Sequence, residues 1–315
     1  MHSTDVAYHS LARLKMALRS KKRTRASLAM GILATMAASL SFTFMSGCAK
    51  YLTAYGAGEL TLFRGMVGLF LIPVLCLKTR ERFFTGKHPF LLSLRGFFGS
   101  CGLFFYFLSL KGLTLGDSQI LAQLSAFFMC FLSPIFLSER LPKGAVPGMA
   151  AIAAGTLCVV QIWSFESFNH YALYGIAGGF SSACAYTVIT KLAEKNFRSN
   201  TEIVFYFQLF SMLVGIAMLD GSLLIPSGTD WFFITGLGFF ALSAQLFMTW
   251  AFQHVNSIIV SFLMYSEILF HALYGRLVWD EIMPLSSWIG GALIVLGSVM
   301  LLVLKPRPAS DTHHH

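Results

Sequence analysis

The chain has 315 residues, 56% of them hydrophobic and 12% charged, with a mean hydropathy of +0.69. A soluble domain is about 25% charged, so this composition excludes an ordinary soluble fold and implies a membrane protein. The net charge of +9 does not point to nucleic acid, because Lys and Arg fall in gaps between apolar runs and not on one polar face.

Residues 1–27 come first, with Leu11, Leu14 and Leu18 set among Arg13, Lys15, Arg19, Lys21, Lys22, Arg23 and Arg25. The segment is expected on the cytoplasmic side, either as an amphipathic helix on the membrane surface or as a disordered basic tail. The apolar run that follows ends in Met45-Ser46-Gly47-Cys48, which resembles a lipoprotein signal in outline. The run is too long for that and Met45 fits its position poorly, so a true span is expected.

Ten windows hold the roughly 17 to 25 mainly apolar residues that cross a hydrocarbon core. They are 28–49, 60–77, 90–110, 115–137, 145–163, 171–190, 203–219, 231–252, 257–278 and 285–304. Segments of this length satisfy their backbone as helices, whereas barrel strands are about ten residues long and alternate in character. An all-α integral membrane protein follows, with five spans in residues 28–163 and five in 171–304. Residues 305–315 form a tail in which His313, His314 and His315 read as part of a tag. Cys48, Cys76, Cys101, Cys130, Cys158 and Cys184 stand singly inside apolar segments. Neither metal-site spacing nor a disulfide framework is present, and they read as small packing residues.

Lys and Arg concentrate in cytoplasmic loops. With the N-terminus inside, the inner connections carry the basic tail, Lys78, Arg80, Arg82 and Lys87, then Arg140 and Lys143, then Lys191, Lys195 and Arg198, and finally Lys305 and Arg307. The outer connections carry mainly acidic residues: Glu59, Asp117, Glu166, Asp220, Asp230, Asp280 and Glu281. Lys111 and Lys50 are the exceptions. Both termini are therefore expected in the cytoplasm.

A shift of 142 residues lays Glu139 on Glu281, Pro142 on Pro284, Gly148 on Gly290 and Gly155 on Gly297. Because five spans is an odd number, the second copy enters the membrane from the opposite side. Two inverted five-helix repeats are the arrangement many secondary transporters use to alternate access around a midplane site.

Four stretches resemble the EamA-type members of the drug/metabolite transporter superfamily. They are TLFRGMVGLF (61–70), LRGFFGSCGLFFYFLSLKGLTLGDSQI (94–120), and the paired acidic turns LSERLP and WDEIMP. The resemblance covers essentially the whole chain. It implies a cavity lined by spans 1 to 4 and 6 to 9, with spans 5 and 10 peripheral, and is nearest to members that carry S-adenosylmethionine or flavin-like metabolites. One departure stands out: Ala126 and Ile268 occupy positions where the family commonly has a proline in spans four and nine. A missing proline removes the usual cause of a sharp bend, and Pro134 lies lower in span four.

Met264, Glu267, His271 and Tyr274 fall on one helical face. The functional reading is a cavity wall in which Glu267 offers a negative charge or a proton and His271 tunes it; the alternative is a buried hydrogen-bonded pair between helices. A zinc site is set aside, since it needs three or four ligands. Gln119, Gln123 and Ser125 lie on related faces of span four, and the same shift maps Ser125 onto Glu267 and Gln123 onto Tyr265. Tyr106, Tyr186, Gln245 and Trp250 complete an amphipathic pocket suited to a sulfonium or ammonium group, or else simply pack. Arg64 and Arg95 begin their spans near opposite surfaces and are expected either to snorkel to headgroups or to bind an anion, the first favoured. Lys50 and Lys191 meet the negative ends of their helix dipoles. Gly178, Gly179, Ser181 and Ser182 permit close helix approach.

The expectation is a carrier in the bacterial cytoplasmic membrane that moves a small polar or amphipathic metabolite by alternating access. S-adenosylmethionine-like, nucleoside-like and amino-acid-like cargoes all fit. Catalysis, cofactor, metal and nucleic acid are not expected; a small-molecule substrate and membrane lipid are, with a homodimer left open. The alternatives are a lipid flippase and an integral-membrane transferase, the latter lacking the clustered catalytic residues it needs.

Overall fold

Thr114 shows how the helices start: its hydroxyl accepts from the Asp117 amide at 3.0 Å and donates to the Asp117 carboxylate at 2.8 Å, capping the turn it begins. Ser199 does the same for the Glu202 amide, in the S-x-x-E pattern of a capping box. The computed structural model describes residues 29–79, 85–136, 145–160, 169–195, 197, 199–221, 223–254, 260 and 263–304. The basic segment 1–27, the tail 305–315 and the LSERLP turn with Glu139 and Pro142 lie outside the described residues.

Among the described residues every regular element is an α-helix. In chain order they are α1 (Ala29–Tyr51), α2 (Ala57–Thr79), α3 (Pro89–Leu110), α4 (Leu115–Ala122), α5 (Ser125–Phe136), α6 (Ala145–Val160), α7 (Tyr171–Glu194), α8 (Asn200–Ala217), α9 (Asp230–His254), α10 (Ser266–Trp279) and α11 (Leu285–Leu304). Six of them, α1, α2, α3, α7, α8 and α9, are long and apolar enough to cross a membrane, and α6 and α11 contain shorter apolar helices.

The surface is more apolar than a soluble protein's, and a set of polar side chains lies within the otherwise apolar interior. Phe70, Phe90, Ile135, Phe232 and Leu277 point outward and exposed, while Thr35, Ser39, Thr43, Ser46, Gln208, Ser211 and Gln245 are buried. Large apolar faces left open to the surroundings mark contact with another apolar phase, here the acyl chains.

The span expected at 115–137 is interrupted. The Gln123 amide is shared between the carbonyls of Gln119 and Ile120, and the Leu124 amide bonds Leu121 O at 3.1 Å, which tightens the end of α4 before α5 begins. A turn at Tyr265 likewise precedes α10. Under the 142-residue shift Gln123 and Tyr265 coincide, so the helices break at matching places although Ala126 and Ile268 replace the expected prolines. At the first break α7 comes close through Gly179, whose Cβ position lies 3.0 Å from Leu121 O.

Helix pairs approach through glycine. α6 and α11 run antiparallel, with Gly148 against Gly297 and Gly155 against Gly290. α8 lies antiparallel on α2 at Gly58, Gly65 and Gly215, and alongside α3 at Gly96. α7 packs on α3 at Gly102 and Gly178, while α4 packs on α10 at Gly116 and Gly275.

Candidate functional site

Thr35, Ser39, Thr43 and Ser46 recur at helical spacing and give α1 one buried polar face. Each except Ser39 returns its hydroxyl to the carbonyl four residues back, so the hydroxyls are satisfied within the helix. Ser39 donates to the Met264 sulfur at 3.7 Å. His271, fully buried at 0% exposure, lies against this face. Its Nδ1 is 3.0 Å from Thr43 Oγ1 and 2.8 Å from the Glu267 carbonyl oxygen, and its Nε2 is 2.9 Å from Ser46 Oγ. Ser46 Oγ also pairs with Tyr106 Oη at 2.8 Å. Tyr274 ends the stripe edge-on to Phe44. Met264, His271 and Tyr274 therefore all pack against α1, and His271 touches the backbone of Glu267 and not its carboxylate.

Glu267 differs from its neighbours. It is 5% exposed, and its carboxylate makes no hydrogen bond or ion pair among the described residues. It occupies the first turn of α10, where the positive end of the helix dipole favours a negative charge. Tyr106 and Tyr186 lie within electrostatic reach of it. Gln119, Ser125, Tyr265 and Gln245 are buried, while Gln123, Tyr186, Trp250 and Met264 are half-buried. Gln119, Gln123 and Ser125 flank the break between α4 and α5, and Tyr265 marks the break before α10.

Arg64 and Arg95 correct the snorkelling expectation. They are 1% and 3% exposed, and both guanidinium groups sit 4.6 Å from the ring centroid of Phe207. The side chains reach inward along their helices because α8 lies against both α2 and α3. Arg64 Nη1 donates to Gln208 Oε1 at 3.2 Å and Ser211 Oγ at 3.3 Å, and Ser211 pairs with Ser100 at 3.1 Å. No sequence periodicity announces this cluster, since Phe207 is remote in the chain from both arginines. The polar face of α1 was also missed from sequence, although its Ser and Thr at intervals of three and four carry a signal that finds it.

The expected outer end is tied by polar contacts. Lys50 pairs with Glu281 and also donates to Leu113 O at 3.0 Å, while Glu281 accepts from the Leu115 amide at 2.9 Å. Lys50 therefore has a specific partner beyond its own helix dipole. Tyr55 donates to Asp230 at 2.7 Å. Burial, reinforced by Asp230, pushes the Tyr55 phenol up to about 12, so it remains a donor at neutral pH.

The sequence matches the EamA-like transporter family over residues 27–161 and again over 170–303. The chain belongs to this family and is a multi-pass membrane transporter. A pseudopaline exporter of Pseudomonas aeruginosa is 32% identical over 86% of this chain and 95% of its own length. Solute carrier family 35 member G1 of Mus musculus is 25% identical over 85% of this chain and 77% of its own. A riboflavin transporter of Brucella anthropi is 22% identical over 75% and 84%. A solved crystal structure shares the fold, with TM-score 0.59 over 89% of this chain and 98% of the other at 19% identity.

Proposed function

We propose that the chain is a ten-span secondary carrier of the cytoplasmic membrane, built as two inverted five-helix repeats and moving a small polar or amphipathic metabolite by alternating access. Glu267 is its principal polar anchor. The observation that carries this reading is the buried Glu267 carboxylate, without a partner among the described residues, beside an interrupted helix, since interrupted helices are where such carriers place cargo and an inward ionisable group is costly without a role.

Reciprocal contacts support the inverted repeat. Glu59, opening α2, accepts the Leu224 amide at 2.6 Å, and Glu202, near the start of α8, accepts the Thr85 amide at 2.9 Å. Each half thus clasps the connection of the other. The exchanged glycine pairs of α6 and α11 have the same form, as a two-fold relation requires. The names of the exporter and riboflavin carrier among the relatives support an organic metabolite as cargo. The concentration of Lys and Arg in the inner connections supports cytoplasmic termini.

The test is a thermal-stability screen of purified protein against metabolites, followed by liposome flux of the hit at several pH values. Glu267→Gln should lose most of the flux and change its pH dependence. Unaltered binding, flux and pH profile in a folded Glu267→Gln protein would remove the anchor role.

A further inference from the structure

Buried arginines ordinarily face a carboxylate, because a guanidinium stays protonated and its desolvation is costly without a counter-charge. Arg64 and Arg95 have none among the described residues; their neighbours are the neutral groups of Gln208, Ser211 and Phe207. Four donors are left without an acceptor: Nε of Arg64, Nε and Nη1 of Arg95, and Nε2 of Gln208, all closed off from solvent. A single aromatic face, shared by two cations, gives each only part of a cation–π attraction. The cluster thus has two positive charges and a surplus of N–H groups. Its chemical complement is an oxyanion, which accepts several such bonds at once.

We infer that Arg64 and Arg95 form the binding site for an oxyanion group, carboxylate or phosphate, carried by a soluble substrate. This deepens the carrier reading and rests on it. Tyr186 is within electrostatic reach of both Arg95 and Glu267, which is compatible with one cargo placing a negative arm at the arginines and a positive or donor arm toward Glu267. The substrate class is then a metabolite bearing both an acidic and an amino or amide-like group. Entry to the pair requires α8 to part from α2 and α3. The contacts there combine backbone and side chain: Gly65 meets the backbone of Gln208 and Met212 and Gly215 that of Leu62, while Gly96 meets the Phe210 ring and the carbonyl of Tyr206, and Gly68 the Gln208 side chain.

The full chain in phosphatidylcholine nanodiscs is titrated with sodium acetate, sodium phosphate and sodium chloride at matched ionic strength, reading the unfolding temperature. Acetate or phosphate should raise it saturably above chloride, and Arg95→Gln should weaken the half-saturating concentration at least about tenfold, as loss of a charged hydrogen bond does. Arg95→Lys should fall between. An equal rise in chloride, or an unchanged response in Arg95→Gln, overturns the site. Should Arg95→Gln not fold, hydrogen exchange of the wild type decides: phosphate or acetate should protect the α8 amides, and no anion-dependent protection overturns the site equally. Nanodiscs of phosphatidylglycerol test the source. If that lipid alone gives full protection and soluble anions add nothing, the oxyanion is a headgroup and the assignment to a solute falls. Flux of Glu267→Gln reads the carboxylate, whereas the anion titration reads the guanidinium pair, so each reading fails on its own measurement.

Discussion

Gly155 and Gly290 stand backbone to backbone: a Cβ placed on either lies 2.5 Å from the carbonyl oxygen of the other. No real side chain tolerates that distance, so α6 and α11 approach as closely as they do because both positions are bare. Ala at either position should lower the unfolding temperature in detergent, corresponding to about 1–3 kcal/mol of overpacking. Unchanged unfolding in both variants would show that the two helices do not meet here.

The chain Tyr106, Ser46, His271, Thr43 is a satisfied buried network, and such networks lose stability when one member is removed. Tyr106→Phe deletes one hydroxyl and should cost about 1 kcal/mol. His271→Ala strips Ser46 and Thr43 of a partner and should cost more. Both are measured by thermal unfolding of the purified variants, with the larger drop expected for His271→Ala.

Glu281 ties Lys50 to the start of α4. Replacing it by Gln should weaken this tie by about 2 kcal/mol, the scale of a charge-assisted hydrogen bond, and speed hydrogen exchange at the Leu115 amide that it accepts from. The exchanged pair Lys50→Glu with Glu281→Lys should recover part of the thermal stability through the restored ion pair but not the Leu115 amide protection, because a lysine cannot accept from it. No change in exchange on Glu281→Gln means the contact carries no weight.

Orientation is checked by thiol labelling in a cysteine-free background. Lys87 and Ser227 are both exposed and belong to connections assigned to opposite sides. An impermeant maleimide should label Ser227→Cys in intact spheroplasts and Lys87→Cys only after permeabilisation. The reverse pattern inverts the topology.

Much of the fold was legible because a bilayer imposes a local rule: each crossing must be a long apolar helix, and runs such as Pro89–Leu110 announce themselves. The breaks at Gln123 and Tyr265 were not legible. With Ala126 and Ile268 in place of proline, the interruption comes from how α4 ends and how α7 packs on it through Gly179. Within the site, Glu267 and His271 were found as an ionisable pair in an apolar stretch. Their difference in partners was hidden, because His271 is satisfied by Thr43 and Ser46, more than two hundred residues away.

Composition, hydropathy and the spacing of charges thus determined by themselves that the chain is a helical membrane protein and which of its residues are too polar for lipid, since transfer into a bilayer is a property of each segment alone. Which of those polar groups is paired and which is left wanting was decided only by the tertiary structure. Arg64 and Arg95 come from different helices and meet over Phe207 of a third, and whether a buried charge has a counter-charge depends on neighbours that sequence distance does not reveal.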